Sequence, residues 1–215
     1  MASTSKTSHE VGDLRLCVEA YLDFTELHPW QQLAAVRAQH SLNVMAIQGQ
    51  LDLRASKRIF EYGAGTGGAT YALGRLATLN GGSVEAAELE PEHAAEIAIS
   101  GILPPENIHI GDGAWTLRQL NRKGKRFDLV AAFMFGPDYF GSRIGRLLHE
   151  VGPALDENGK FLVTSDPQTM EAARTVCFDN DIEFHSYFPP LTRHFDPDRP
   201  DKMDTIVIPR ANLPK

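Results

Sequence analysis

The sequence predicts an α/β protein built on a mostly parallel sheet with helices on both faces. Two observations support this fold class. Short apolar segments typical of strands alternate with helical segments along most of the 215 residues, and strands joined by helical crossovers pair in parallel. The composition, 42% hydrophobic and 23% charged, is that of a globular domain, and this length suits one domain of ordinary size.

The first predicted strand and the turn after it form the most informative segment, Arg58–Thr70. It reads RIFEYGAGTGGAT, in which an apolar strand enters a glycine-rich turn and then a helix over about Gly68–Leu79. Glycines in such a turn allow positive φ angles and a close approach of a ligand to the backbone. Because the first N–H groups of a helix lack intrahelical partners, the segment predicts a nucleotide-type binding site.

Two glycine patterns overlap in this turn. Gly63, Gly65 and Gly68 satisfy the dinucleotide pattern G-x-G-x-x-G, whereas Glu61 with Gly63, Gly65 and Gly67 satisfies E-x-G-x-G-x-G. A carboxylate beside the turn repels the pyrophosphate of NAD but attracts a ligand that carries an ammonium and a sulfonium. The charge of Glu61 therefore favours S-adenosylmethionine over NAD, and a tight turn without a ligand is the third reading.

An acidic residue follows the second predicted strand. The strand covers about Val84–Ala87 and ends at Glu88, 25 residues after Gly63 (88 − 63). An acid near this spacing can bind ribose hydroxyls through charge-assisted hydrogen bonds. Glu90 is the alternative, although its place directly before Pro91 is also typical of an acid at a helix N-terminus.

A third motif lies at Asn107–Trp115, a short strand followed by Gly-Asp-Gly. Asp112 could accept a hydrogen bond from an adenine amino group, with Trp115 covering the ring. Alternatively, Asp112 is the N-cap of a helix over Ala114–Leu120, and the two roles are compatible.

Taken in order, these motifs resemble the class I S-adenosylmethionine-dependent methyltransferases. The resemblance covers about residues 56–209 and includes the strand that begins at Phe127 and a helix, turn and strand over Leu147–Val163. It implies a Rossmann-like fold with a seven-stranded sheet, in which the seventh strand, about Thr205–Pro209, is antiparallel and the sixth covers about Ile182–Phe188.

The chain divides into three predicted parts. Residues 1–10 are polar and are expected to form a disordered tail, residues 11–55 to form N-terminal helices that act as a lid, and residues 56–215 to form the methyltransferase domain. The two lid helices are predicted over about Asp13–Leu27 and Pro29–Gln50. Four apolar residues of the second helix fall at helical spacing and are expected in the core: Leu33, Val36, Val44 and Ile47. Three others are expected mainly to pack within the lid, with a pocket-facing position as the alternative: Trp30, Gln31 and His40.

The resemblance implies S-adenosylmethionine as the cofactor. The residues expected to contact it are Glu61, Tyr62, Gly63, Ala64, Gly65, Thr66, Gly67, Glu88, Leu89, Asp112, Gly113, Ala114 and Phe133.

Residues around the predicted substrate pocket are less informative. In an open α/β sheet the ligand lies beyond the carboxyl ends of the strands, where the sequence places four aromatic residues: Phe133, Phe135, Tyr139 and Phe140. They favour a small, aromatic or partly apolar substrate. The loop over Pro189–Asp204 is expected to overhang the pocket. Its His194 is the first candidate general base, ahead of His28 and His185, and Tyr139 is the second catalytic candidate.

Catechol-type methyltransferases that depend on a metal place an Asp after the fourth strand and an Asp-Asn pair after the fifth. This chain has Phe133 and Asp166-Pro167 at the matching positions. One remaining carboxylate cannot form an oxygen-rich Mg²⁺ site, so we predict metal-independent transfer and no metal ligands.

Charge and cysteine content narrow the expected partners. The net charge of −7 argues against a large nucleic-acid substrate. A basic cluster just before the fourth strand is expected to be solvated surface: Arg118, Arg122, Lys123, Lys125 and Arg126. No apolar run approaches the ~20 residues of a membrane span. Cys17 and Cys177 are isolated thiols, which fits a cytoplasmic location. A homodimer is left open.

The predicted function is methyl transfer from S-adenosylmethionine to the oxygen or nitrogen of a small-molecule acceptor by in-line displacement. Two alternatives remain open: a protein methyltransferase, and a protein that binds S-adenosylmethionine without methylating anything. A dinucleotide oxidoreductase is a more distant fourth.

Overall fold

The computed structural model describes residues 27–133, 144–187 and 204–214, which form one sheet flanked by helices. The strands are β1 (Arg58–Tyr62), β2 (Ser83–Glu88), β3 (Ile108–Ile110), β4 (Phe127–Phe133), β5 (Leu155–Ser165), β6 (His185–Tyr187) and β7 (Asp204–Pro209). The α-helices are α1 (Pro29–Ile47), α2 (Gly68–Leu79), α3 (Pro91–Ile99), α4 (Gly113–Arg122), α5 (Ile144–Ala154) and α6 (Pro167–Asp179). Short 3-10 helices cover Pro105–Asn107 and Arg210–Asn212.

The seven strands are hydrogen-bonded in the order β3-β2-β1-β4-β5-β7-β6. The pairs among β1 to β5 are parallel, whereas β7 is antiparallel to both β5 and β6. The predicted fold class is therefore confirmed, including the antiparallel seventh strand. The chain leaves β1 toward β2 on one side and returns to β4 on the other, which creates the crevice where ligands bind in open α/β sheets.

Both faces of the sheet are buried because adjacent strand residues point to opposite faces. Ile59 and Leu129 pack with α1, α2 and α3 in one apolar cluster. Phe60 and Val130, their chain neighbours, pack with α4, α5 and α6 in the other. The central strands are accordingly apolar along most of their length, as expected for a parallel sheet covered on both sides.

Helix α1 packs with a different face from the one predicted. Its side chains in the core are small or flexible: Ala35, Ala38, Leu42 and Met45. Leu33 and Ile47 are exposed, so the prediction is wrong for them, and Val36 and Val44 are only half-buried. The helix is apolar on several sides, so spacing alone did not identify the packed face. Close approach to α2 decides it, because a Cβ at Gly68 would lie 2.7 Å from the Ala34 Cβ.

Two further predictions concern the ends of the chain. The helix predicted over Asp13–Leu27 lies outside the described residues except for Leu27, so the tail and the lid boundary stay predictions. Strand β6 is shorter than predicted because the chain runs without strand pairing from Ile182 to Phe184.

None of the helices in the described segments combines the length and apolar character needed to cross a lipid bilayer.

Candidate cofactor-binding site

The glycine turn after β1 is held by backbone hydrogen bonds to the end of β2. The amides of Gly63 and Ala64 both donate to the Ala87 carbonyl, at 2.8 and 3.1 Å, and the Gly67 amide donates to the Ala64 carbonyl at 3.0 Å. Gly63, Gly65 and Gly67 have φ of +69°, +54° and +93°, a region that favours glycine. The glycines predicted as the binding turn are therefore required by its shape.

The carboxylate of Glu88 is buried at the end of β2 and fixes this turn. Its Oε2 accepts a hydrogen bond from the Gly65 amide at 2.6 Å, and its Oε1 accepts one from the Glu90 amide at 2.9 Å. The Glu90 side chain is exposed, and Glu90 precedes α3 as its N-cap residue. Each Glu88 oxygen has further acceptor capacity, so the same group can also accept hydroxyl groups from a ligand.

Glu61, near the end of β1, is a buried acid beside the glycine turn. It is 1% exposed, and its Oε2 has no hydrogen-bond partner among the described residues. Burial raises the pKa of this carboxyl to about 8, although the Thr70 hydroxyl nearby favours the charged form and the Glu88 carboxylate disfavours it. A buried carboxylate without a partner is costly. A cationic ligand group would satisfy it.

Asp112 is the N-cap of α4, as the second reading of the Gly-Asp-Gly motif expected. Its Oδ1 accepts a hydrogen bond from the Trp115 amide at 2.9 Å. The next residue, Gly113, lies directly against the ring of Tyr62, and Ala114 is buried behind it. Trp115 is 53% exposed at the surface of this turn. The N-cap role is compatible with the predicted contact to adenine, which stays a prediction.

We expect Asp112→Ala to lower the free energy of unfolding by about 1 kcal/mol, because alanine cannot accept the bond from the Trp115 amide. Asp112→Asn keeps an acceptor and should unfold within about 0.5 kcal/mol of the parent. Urea denaturation of the two variants checks this. Equal losses in both would contradict the cap and assign the effect to the negative charge.

The other predicted cofactor residues lie around the same strand ends. Tyr62 and Phe133 are buried at the ends of β1 and β4, Leu89 is exposed directly after β2, and Thr66 lies within the glycine turn. The structure therefore brings all thirteen predicted cofactor residues to the carboxyl ends of β1, β2, β3 and β4.

Only some of the catalytic candidates lie among the described residues. His194 and Tyr139 lie outside the described residues, so their roles stay predictions. His28 stacks on Trp30 before α1, with ring centroids 6.3 Å apart, and His185 is exposed on β6. His40 is half-buried on α1, where burial lowers its pKa, and its Nε2 has no hydrogen-bond partner within the described ranges.

Gln31, for which the sequence favoured packing within the lid over a pocket-facing position, contacts the glycine turn. Its side chain is 4% exposed, and its Nε2 donates to the Thr66 carbonyl in the glycine turn at 2.6 Å. Its Oε1 accepts a hydrogen bond from the His28 amide at 3.2 Å.

Asp166 is the one carboxylate at the positions where metal-dependent methyltransferases have their ligands. In this structure it is the N-cap of α6. It accepts hydrogen bonds from the Thr169 amide at 2.9 Å and from the Thr169 hydroxyl at 2.6 Å. Within the described segments no three His, Cys, Asp or Glu side chains are grouped as metal ligands.

The basic cluster before β4 lies at the opposite edge of the sheet, and two of its members are paired. Arg118 binds Glu150, and Lys125 Nζ binds Glu85 Oε1 at 2.6 Å. Of its other members, Arg122 and Lys123 are exposed, and the half-buried Arg126 donates to the Asn121 and Lys125 carbonyls. The location away from the glycine turn agrees with the expected surface role.

Solved structures with the same fold include several methyltransferases. An O-methyltransferase from Bacillus cereus, in complex with S-adenosylhomocysteine, is 13% identical with a TM-score of 0.55 and covers 97% of this chain and 93% of its own. A second neighbour is TomG from Streptomyces achromogenes, an O-methyltransferase involved in tomaymycin synthesis, in complex with S-adenosylmethionine. It is 17% identical with a TM-score of 0.54, and the match covers 95% of this chain and 90% of TomG. Fibrillarin from Methanococcus jannaschii, a pre-rRNA processing protein, is 15% identical with a TM-score of 0.54. The match covers 74% of this chain and 69% of fibrillarin.

No family model matches the sequence, and no curated protein matches it. The assignment therefore comes from the sheet order, the helix placement and these structural neighbours. The chain has the Rossmann-like fold of the class I S-adenosylmethionine-dependent methyltransferases.

Proposed function

We propose that the protein binds S-adenosylmethionine at the carboxyl ends of β1 and β2 and transfers its methyl group to a small-molecule acceptor. The observation that carries this proposal is Glu61, a fully buried carboxylate beside the glycine turn whose Oε2 has no partner among the described residues. NAD, with its anionic pyrophosphate, would leave this carboxylate unpaired, whereas an ammonium would neutralise it.

The residues present fit this cofactor. Glu61 would bind the ammonium group, Glu88 the ribose hydroxyls, and Asp112 with Trp115 the adenine ring. When bound, the cofactor supplies an activated methyl group on a sulfonium for in-line displacement by an acceptor oxygen or nitrogen. The chain contributes by holding the reactants in line, which can supply much of the rate, and the buried Phe133 helps to exclude water from the end of β4.

Two observations favour a small-molecule acceptor. The net charge of −7 and the pairing of Arg118 and Lys125 with acids disfavour a polyanionic substrate. In addition, the structural neighbour TomG, an O-methyltransferase of tomaymycin synthesis, covers 95% of this chain. Cytoplasmic location stays a prediction, as do His194 and Tyr139 as catalytic residues, and a homodimer stays open.

Calorimetric titration with S-adenosylmethionine, S-adenosylhomocysteine and NAD tests the cofactor. We expect micromolar binding of the first two and none of NAD. Binding of NAD alone would overturn the proposal and favour a dinucleotide oxidoreductase.

Incubation of an extract with methyl-tritiated S-adenosylmethionine and the purified protein tests the acceptor. Label in the small-molecule fraction supports the proposal. Label in protein would instead indicate a protein methyltransferase, label in RNA would contradict the small-molecule acceptor, and tight binding without any transfer would indicate a non-methylating binder.

A further inference from the structure

Helix α1 and the glycine turn are joined by one buried side chain, Gln31. Its Nε2 donates to the Thr66 carbonyl at 2.6 Å, and its Oε1 accepts from the His28 amide at 3.2 Å. Because a side-chain amide has one acceptor oxygen and one donor nitrogen, a glutamine can form both bonds in this single orientation. At 4% exposure, water has little access to replace either bond.

The backbones on either side of this bond also touch. A Cβ at Gly68 would lie 2.5 Å from the Gln31 carbonyl oxygen and 2.7 Å from the Ala34 Cβ. The first turn of α1 therefore packs directly on the first residue of α2. This close packing holds the Gln31 backbone beside the glycine turn, so that its side chain can reach the Thr66 carbonyl.

Thr66 lies between the two amides that define the shape of the turn. The Gly65 amide donates to Glu88, and the Gly67 amide donates to the Ala64 carbonyl. Both glycines have positive φ, where the backbone is permissive. The bond from Gln31 restricts the Thr66 peptide between these two glycines, next to the Gly65 amide that donates to Glu88.

We propose that Gln31 is a positioning residue that raises cofactor affinity by fixing the Thr66 peptide of the glycine turn. This inference rests on the proposed function. It makes α1 part of the binding site without a contact to the ligand, and it couples the first turn of that helix to the carboxylate of Glu88.

The test is Gln31→Glu with Gln32→Glu as its matched control. Gln31→Glu preserves size and the acceptor for the His28 amide but turns the donor toward Thr66 into an acceptor. Gln32 Nε2 donates to the Leu27 carbonyl at 2.7 Å, so Gln32→Glu removes the same kind of bond in the same turn without affecting the glycine turn. Both changes add an acid to the first helical turn, where it is favourable.

Titration with S-adenosylhomocysteine at pH 8 should show a Kd at least tenfold higher for Gln31→Glu and within twofold of the parent for Gln32→Glu. Burial at this 4% exposed position, beside the Thr66 carbonyl oxygen, raises the pKa of the introduced carboxyl, so lowering the pH toward about 5 protonates it and lets it donate to Thr66. The ratio of the Gln31→Glu Kd to the parent Kd should therefore fall toward one as the pH falls. A merely structural role would leave that ratio constant.

Gln31→Met removes the donor without adding a charge, and it carries the test if Gln31→Glu does not fold; we expect a Kd raised at least threefold. If the parent fails to bind S-adenosylhomocysteine, the proposed function itself is rejected. If the parent binds and the substitutions at Gln31 behave like Gln32→Glu, the function stands and the positioning role is overturned.

Discussion

Glu61→Gln is expected to weaken the binding of S-adenosylmethionine about 30-fold or more. The substitution keeps the size of the side chain but removes the charge that would pair with the ligand ammonium. Loss of one partner from a buried charged pair costs roughly 2 kcal/mol or more, which corresponds to that factor in Kd. Calorimetric titration at pH 8 measures the Kd of S-adenosylmethionine for the variant and for the parent.

The matched control is Glu96→Gln, the same substitution at an exposed position of α3. It should change the Kd less than twofold. Equal Kd values for Glu61→Gln and the parent would contradict the pairing and remove the observation on which the cofactor assignment depends.

The same variant should change how stability depends on pH. Folding raises the pKa of Glu61 from about 4.5 to about 8, chiefly through burial. Between these values the folded state retains a proton that the unfolded state releases, so the contribution is full below about pH 4.5 and is lost as the pH rises through about 8. Urea denaturation from pH 5 to 9 should show a decline in the parent that is weaker in Glu61→Gln. Parallel curves would contradict the raised pKa.

Gly113→Ala is expected to have the second large effect, on stability and on ligand affinity together. A Cβ at this position would lie 2.3 Å from Cδ2 and 2.7 Å from Cε2 of Tyr62, whose ring is 3% exposed. The ring cannot move without disturbing the core, so the Gly-Asp-Gly turn must shift. Overpacking of this kind costs typically about 1–3 kcal/mol, and the displaced Asp112 should also weaken cofactor binding.

Thermal unfolding should show a Tm lower by at least about 2 °C for Gly113→Ala. Gly74→Ala is the control, since the nearest atom to its added Cβ is the Ile102 carbonyl oxygen at 3.9 Å. In the middle of α2 it should instead stabilise the protein by up to about 1 kcal/mol. A Gly113→Ala variant as stable as the parent would contradict the prediction, because the Gly-Asp-Gly turn would then shift without a loss of stability.

The resemblance that the residues suggested was correct for the fold. Strand β1, the glycine turn and α2 were predicted closely because each is encoded locally, by an apolar run, by residues that tolerate positive φ and by a helical segment of matching length. The antiparallel β7 followed from the resemblance to the family, since no local pattern distinguishes it from a parallel strand.

Helix α1 shows where local patterns were insufficient. Its boundaries were predicted within three residues, yet Leu33 and Ile47 were wrongly predicted in the core, because apolar side chains lie on several sides and only the packing of the helix decides among them. Gln31 illustrates the same limit, since its partner Thr66 is 35 residues away in the chain.

The sequence by itself determined the order of strands and helices, the glycine turn and the acids at the ends of β1 and β2, because these depend on residues close together in the chain. Only the tertiary structure decided that the Glu61 carboxylate is buried with a pKa of about 8, that Glu88 binds the Gly65 amide and that Gln31 joins α1 to the turn. These properties arise from desolvation and from hydrogen bonds between distant segments, and both exist only after the sheet and its helices have packed.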